Sequence, residues 1–216
     1  MGSKRSLVCA VFLIILFVLW TVAVSFIDVR PIGPEGSKVG FAGLNGSFHE
    51  LTGENMGLYD ITDALMPVPF AVVLIFAAVG AVQLIKRKKI LSVDRDIIAL
   101  GIFYIAVIAV YVFFEVFVIN YRPVLIEGKL EASYPSSTTM LVLTVMPTAV
   151  MQISRRLKKG PIKIVLITLS AIFTAFMVIG RVISGVHWLS DIIGGVIISA
   201  GLVLMYRCFA YPLNEG

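Results

Sequence analysis

Charge is what this chain has least of. Asp, Glu, Lys and Arg make up 14% of its 216 residues, against about 25% in a soluble globular domain. Hydrophobic residues make up 59%, and mean hydropathy is +0.99. That balance excludes an ordinary soluble fold and points to a bilayer protein. Cysteine is nearly missing. Cys9 and Cys208 lie in apolar runs, so no disulfide framework is expected and both read as small buried residues. The histidines are His49 and His187, and no group of His, Cys and acidic residues has metal-ligand spacing. No metal and no other cofactor is implied. Internal repeats and low-complexity segments are missing too. The net charge of +5 invites a nucleic-acid reading, but the basic residues sit in short clusters between apolar runs, which is how membrane topology is written. No nucleic-acid partner is expected.

Long apolar runs are abundant. A hydrocarbon core of about 30 Å needs roughly 20 residues of helix, because every backbone polar group must be paired within the segment. Six stretches fit: Leu7 to Ile27, about Leu65 to Ile85, Ile97 to Ile119, about Ser137 to Ile153, Ile162 to Ile179, and about His187 to Phe209. The expected fold is an all-α integral membrane protein, one six-helix bundle over residues 1–216. Pro147 predicts a kink or tilt in the fourth helix.

The connections alternate in sign. Lys4 and Arg5 precede the first helix; Lys86, Arg87, Lys88 and Lys89 follow the second, with Arg95 nearby. Arg155, Arg156, Lys158 and Lys159 separate the fourth and fifth, and Arg207 ends the sixth. The positive-inside rule places these on the cytoplasmic side, with both termini, and turns loops 28–64, 120–136 and 180–186 outward. The basic start and first apolar run resemble a signal peptide, with Ala23 and Ser25 as weak cleavage candidates, but the run is long and reads as an uncleaved anchor. Met1-Gly2 with Ser6 fits a myristoylation pattern, which the immediate start of the helix makes a coincidence. Asn45-Gly46-Ser47 is a glycosylation sequon and equally a turn. Loop 28–64 is expected to hold a short interfacial helix between Phe48 and Ile61 and to cover the mouth of a site. No helix shows a continuous polar stripe, which argues against a channel.

Polar groups at membrane level are costly and mark sites. Three clusters fall at the outer helix ends. Arg122-Pro123 follows the third helix, with Glu115 seven residues earlier, close to two helical turns and so on the same face. Tyr134-Pro135-Ser136-Ser137-Thr138-Thr139 opens the fourth helix, where hydroxyl caps are ordinary and where free N–H groups also make an anion cradle. Gly180-Arg181 precedes His187, and Asp191 stands four residues further on at the start of the sixth helix. A carboxylate there can accept the imidazole N–H and fix its tautomer, leaving the other nitrogen as nucleophile or base. Arg181 offers a bidentate fork for an oxyanion.

Taken in order, residues 115–191 resemble the type 2 phosphatidic acid phosphatase superfamily, the membrane relatives of vanadium haloperoxidases. That family's motifs are Lys-x6-Arg-Pro, Pro-Ser-Gly-His and Ser-Arg-x5-His-x3-Asp. The third reads here Gly180-Arg181-x5-His187-x3-Asp191. The resemblance implies a site at the outer ends of helices three to six and a phosphohistidine formed on His187, with Asp191 as its orienting partner. It implies that Arg122, Arg181, Ser136 and Ser137 cradle the phosphate. Three positions are substituted: Glu115 stands for the lysine, Thr138 for the second-motif histidine and Gly180 for the serine. The expected activity is a lipid phosphatase of the outer leaflet, acting on a (poly)prenyl diphosphate such as undecaprenyl diphosphate or on a phospholipid phosphate. The alternative is an altered member that binds, transports or transfers lipid phosphates without hydrolysis. Where hydrolysis is kept, a substitute acid would be Glu115, or His49 with the outer loop folded over the site.

Overall fold

A computed structural model describes residues 3–211. Eight α-helices follow one another: α1 (Ser3–Phe26), α2 (Ala42–Thr52), α3 (Met56–Ala64), α4 (Pro67–Arg87), α5 (Arg95–Val116), α6 (Ser137–Arg156), α7 (Pro161–Ile183) and α8 (Leu189–Ala210). Six spans are long and apolar enough to cross a membrane, with Met56–Arg87 counted as one. The chain is an all-α, multi-pass membrane protein. Its lipid-facing surface is what the composition demands: Ile85 is 74% exposed and Leu74 68%, positions that hydrocarbon would cover.

The bundle is built around α6 and α8. α1 runs along α8, with Gly201 close enough to Ile14 that an added Cβ would lie 3.1 Å from its Cγ1. Phe17, Phe114 and Tyr134 pack edge-on and stacked between α1, α5 and the turn before α6.

The buried face of α6 revises the expectation that no helix carries a polar stripe. Ser136, Thr144, Thr148 and Gln152 are all buried there, at multiples of four residues, and Arg156 extends the row. Thr144 and Thr148 donate to the carbonyls one turn back, at 2.7 and 2.8 Å. Thr148 also meets the Tyr104 hydroxyl at 3.2 Å, and Gln152 donates to the Tyr206 hydroxyl at 2.6 Å. Each group is answered inside the bundle, so the stripe ties helices together. α6 continues through Pro147 to Arg156.

Several boundaries differ from the sequence expectation, and α7 runs to Ile183 rather than Ile179, so Gly180 and Arg181 lie on it and not in a loop. The third apolar run stops being helix at Val116, because Phe117 adopts φ −102 and ψ 77. The sixth begins at Leu189, so His187 precedes it. The segment from Phe48 to Ile61 is two helices and not one. Gly53 turns the chain at φ +63, and the Asn55 side chain accepts from Leu58 N to start α3. Met1 and Gly2, the residues of the myristoylation pattern, lie outside the described residues.

At the end of the bundle away from His187, Asp94 pairs with Arg87 at 2.8 Å and with Arg156 at 3.0 Å. Buried Asp96 receives Arg156 at 3.1 Å. These pairs join the ends of α4, α5 and α6 among the basic residues.

Candidate active site

The site forms where three loops meet. The turn between α7 and α8 carries Gly185 at φ +68, and an added Cβ there would lie 1.9 Å from the Gly53 carbonyl oxygen. Only glycine permits both the turn and that approach. Asn55 N then donates to the Ser184 carbonyl at 2.9 Å, joining the α2–α3 linker to the same turn. On the other side Gly194 and Gly195 let α8 come against residues 133–136. A Cβ on Gly194 would stand 2.7 Å from the Tyr134 ring, and one on Gly195 would stand 3.2 Å from the Ser136 carbonyl oxygen. The loop between α5 and α6 doubles back on itself through Glu127 and Gly128, pairing Tyr121 with Ala132. That fold brings Asn120, Arg122, Glu131 and Ser133 to one place.

Asp191 is fully buried at the third position of α8 and holds four donors. Its Oδ2 accepts from the Ser133 hydroxyl at 2.5 Å and from Trp188 N at 3.1 Å. Its Oδ1 accepts from Asn120 Nδ2 at 2.9 Å and from the Ser190 hydroxyl at 3.3 Å. Four donors are what a buried carboxylate needs to remain charged. His187, 4% exposed, lies beside it without touching it. Its Nδ1 is 3.0 Å from the Ser133 hydroxyl, so a serine stands between ring and carboxylate. The direct imidazole–carboxylate bond expected from the four-residue spacing does not form, because His187 is in the turn and not on the helix face. Burial pushes the imidazole well below its usual range; the positive charges of Arg122 and Arg181 push it the same way, against a hydrogen bond from the ring to the Ser133 backbone. The ring is therefore neutral near pH 7.

Two guanidiniums face the ring. Arg122 Nη1 is 3.3 Å from His187 Nε2, while its Nε pairs with Glu131 at 3.1 Å. Arg181 is 1% exposed; its Nη2 meets Asp63 at 3.0 Å, and its Cζ lies 4.7 Å from the Tyr59 ring centroid. Its Nε and Nη1 are buried without a protein partner. Buried charged donors left open in this way are suited to an anion with oxygens to offer.

The structure thus brings Arg122, Arg181, His187 and Asp191 together. Other expected site residues are placed differently. The Ser136 hydroxyl caps α6, donating to Thr139 Oγ1 at 3.0 Å and accepting from Thr139 N at 3.5 Å. Thr138 is buried on α6. Ser137 and Glu115 line a small crevice with Ser133 and Tyr134. Glu115 is exposed and, with α5 ending at Val116, does not share a helix face with Arg122, whose carboxylate partner is Glu131. His49 packs its ring against Trp188, with centroids 5.5 Å apart. Asn45 is buried with its side chain bonded to Ser190 and Gly40, so the sequon asparagine has no amide free for a glycan.

Sequence reasoning missed Ser133, Asn120, Tyr59 and Asp63. Ser133 and Asn120 stand in no charged or helical pattern. Tyr59 and Asp63 lie more than a hundred positions from Arg181. Both come from the segment that leads into α4 and reach Arg181, Asp63 by an ion pair at 3.0 Å and Tyr59 by its ring.

The PAP2 superfamily model matches residues 98–214, a span that contains all three motif regions. Among solved structures, the crystal structure of the first transmembrane PAP2 type phosphatidylglycerolphosphate phosphatase from Bacillus subtilis is similar. The TM-score is 0.64 at 15% identity, over 92% of this chain and 94% of that one. At that identity the likeness concerns the fold. No curated protein matches the sequence.

Proposed function

This chain belongs to the PAP2 superfamily, and from that premise we propose that it is a membrane lipid phosphatase working through a phosphohistidine on His187. The observation that carries the reading is the arrangement around Nε2: a neutral buried imidazole nitrogen 3.3 Å from one guanidinium, with a second guanidinium holding two open donors. In the reaction the Nε2 lone pair attacks the terminal phosphorus, its P–O bond to the rest of the substrate breaks, and the leaving oxygen, that of a lipid monophosphate when the substrate is a diphosphate, keeps the electron pair. Water then attacks phosphorus and the N–P bond breaks. One proton of the water stays on the phosphate released, and the other passes to solvent. Arg122 and Arg181 hold the equatorial oxygens as charge spreads over them.

The preferred substrate in this reading is a (poly)prenyl diphosphate, of which undecaprenyl diphosphate is an example. Thr138 supplies no acid of imidazole strength, and a missing general acid typically costs about 10²–10⁴-fold. A departing lipid monophosphate, with a second pKa of about 6, needs less protonation than an alkoxide. By the positive-inside rule the end bearing Arg87, Arg95, Arg156 and Arg207 is cytoplasmic, and the site faces the outer leaflet. The lost motif lysine and histidine favour a second reading, binding or transfer of lipid phosphates without hydrolysis.

The test is phosphate release by purified protein on a polyprenyl diphosphate, a polyprenyl monophosphate, phosphatidic acid and phosphatidylglycerol phosphate, with His187→Ala as control. Release that is fastest on the diphosphate and lost in the variant is expected. Silence on every lipid, beside a related phosphatase that works on them, would replace hydrolysis by the second reading.

A further inference from the structure

The Ser133 hydroxyl has one proton and two neighbours. At 2.5 Å from Asp191 Oδ2, its proton goes to the carboxylate, which can only accept. Towards His187 Nδ1, at 3.0 Å, the same oxygen is left as acceptor, so Nδ1 carries the ring's proton. The other nitrogen gives the same answer independently. Nε2 faces Arg122 Nη1 at 3.3 Å, and a guanidinium has no lone pair to offer. Nε2 must accept, and so it bears the lone pair.

We propose that Ser133 is the positioning residue of the site, a hydroxyl that relays between His187 and Asp191 and sets the imidazole with Nε2 as its nucleophilic nitrogen. Its catalytic consequence rests on the phosphatase reading; its structural part does not. As the Nε2–P bond forms and the P–O bond breaks, the ring becomes cationic. The line Nδ1–H to Oγ–H to Oδ2 faces that charge with a hydroxyl dipole backed by a buried carboxylate, with no group having to move. Ser133 is itself 2% exposed, and its backbone N donates to the Asn120 carbonyl at 2.9 Å. Asn120 is also a donor to Asp191 at 2.9 Å. The relay is held by the same loop that holds the carboxylate, so hydroxyl and carboxylate keep one distance.

The chain's other histidine is His49, so a His49→Gln background leaves one imidazole to observe by ¹⁵N NMR in detergent. The expected spectrum shows Nδ1 protonated and Nε2 bare. In Ser133→Ala the Nδ1 proton loses its hydroxyl acceptor and its NMR signal shifts, with Arg122 still holding Nε2 as acceptor. There kcat on the polyprenyl diphosphate falls about 10²-fold or more while KM changes little, since the cation forming on the ring loses its relay to the carboxylate, which binding does not use. Ser133→Thr, which keeps the hydroxyl, restores most of the rate, and Ser133→Cys falls between. A wild-type ring protonated at Nε2 would overturn the proposal, as would Ser133→Ala turning over at the wild-type rate. Were wild type inactive on every lipid while its ring showed the expected tautomer and Ser133→Ala shifted its Nδ1–H signal, the positioning role would stand and the phosphatase reading alone would fail. Should Ser133→Ala not fold, the wild-type spectrum and Ser133→Cys decide.

Discussion

Gly180 on α7 and Thr62 on α3 meet so closely that a Cβ on Gly180 would lie 2.6 Å from Thr62 Cγ2. The serine that the motif has at this position has no room. Glycine here follows from α3 lying against α7, the same contact that brings Asp63 to Arg181 at 3.0 Å. Glycine at this position fits the close approach of α3 to α7.

Gly180→Ser should therefore overpack the α3–α7 contact and cost about 1–3 kcal/mol. Thr62→Ala removes the obstructing methyl, and the Thr62 hydroxyl bonds only within its own helix, to Leu58 O and Tyr59 O. The double variant should recover most of the loss. Thermal unfolding of the three variants in one detergent is the measurement. A Gly180→Ser protein that melts with wild type would mean that α3 does not rest there.

Arg181→Lys keeps the charge and loses the fork. The native guanidinium reaches Asp63 with one nitrogen, lies over Tyr59 and still presents two open nitrogens. An ammonium cannot do all three. Losing one charged hydrogen bond of about 1.5–3 kcal/mol weakens phosphate binding about 10- to 100-fold. The inhibition constant of inorganic phosphate and the KM of the lipid should both rise. If neither moves, Arg181 is outside the phosphate cradle.

Much of this was legible in the sequence because membrane helices and catalytic pairs obey simple rules. Runs of about 20 apolar residues gave the spans, and Arg181, His187 and Asp191 were visible as costly polar residues at a helix end. Legibility stopped where geometry depends on distant chain. A four-residue spacing put Asp191 and His187 on one helix face, but the helix starts after His187, and the gap is filled by Ser133 from another loop. The hydroxyl stripe of α6 escaped notice because threonine is only mildly polar and lies between apolar neighbours. Asn45-Gly46-Ser47 read as a sequon or a turn for a general reason: both are local patterns, and the burial of Asn45 within α2 is not local.

Asn45 tests that last point. Its side chain donates to Gly40 O at 2.7 Å and to Ser190 Oγ at 2.9 Å, and accepts from Ser190 N at 3.1 Å. Ser190 in turn donates to Asp191, so loop 28–64 reaches the carboxylate through this residue. Asn45→Ala should cost about 1–3 kcal/mol by leaving buried groups unpaired. Made in a glycosylating host, the folded protein should show no glycan at Asn45 by mass spectrometry. A fully occupied sequon would contradict the buried network.

The opposite end of the bundle carries a pH dependence of its own. Hydrogen bonds from Arg87 and then Arg156 hold the Asp94 carboxyl at about 2, below its ordinary 3.8, despite some desolvation. A carboxyl whose folded value is depressed contributes stability above its unfolded value, and that contribution fades as pH falls through the folded one. Other carboxyls titrate in the same range, so the informative quantity is the gap between wild type and Asp94→Asn. The variant should melt lower at about pH 7, where the ion pairs that join α4, α5 and α6 are intact in wild type. The gap should shrink between about pH 4 and pH 2 as wild-type Asp94 takes up its proton. A gap that keeps its size down to about pH 2 would assign the loss to packing or to the amide's own bonds, and not to the charge of Asp94.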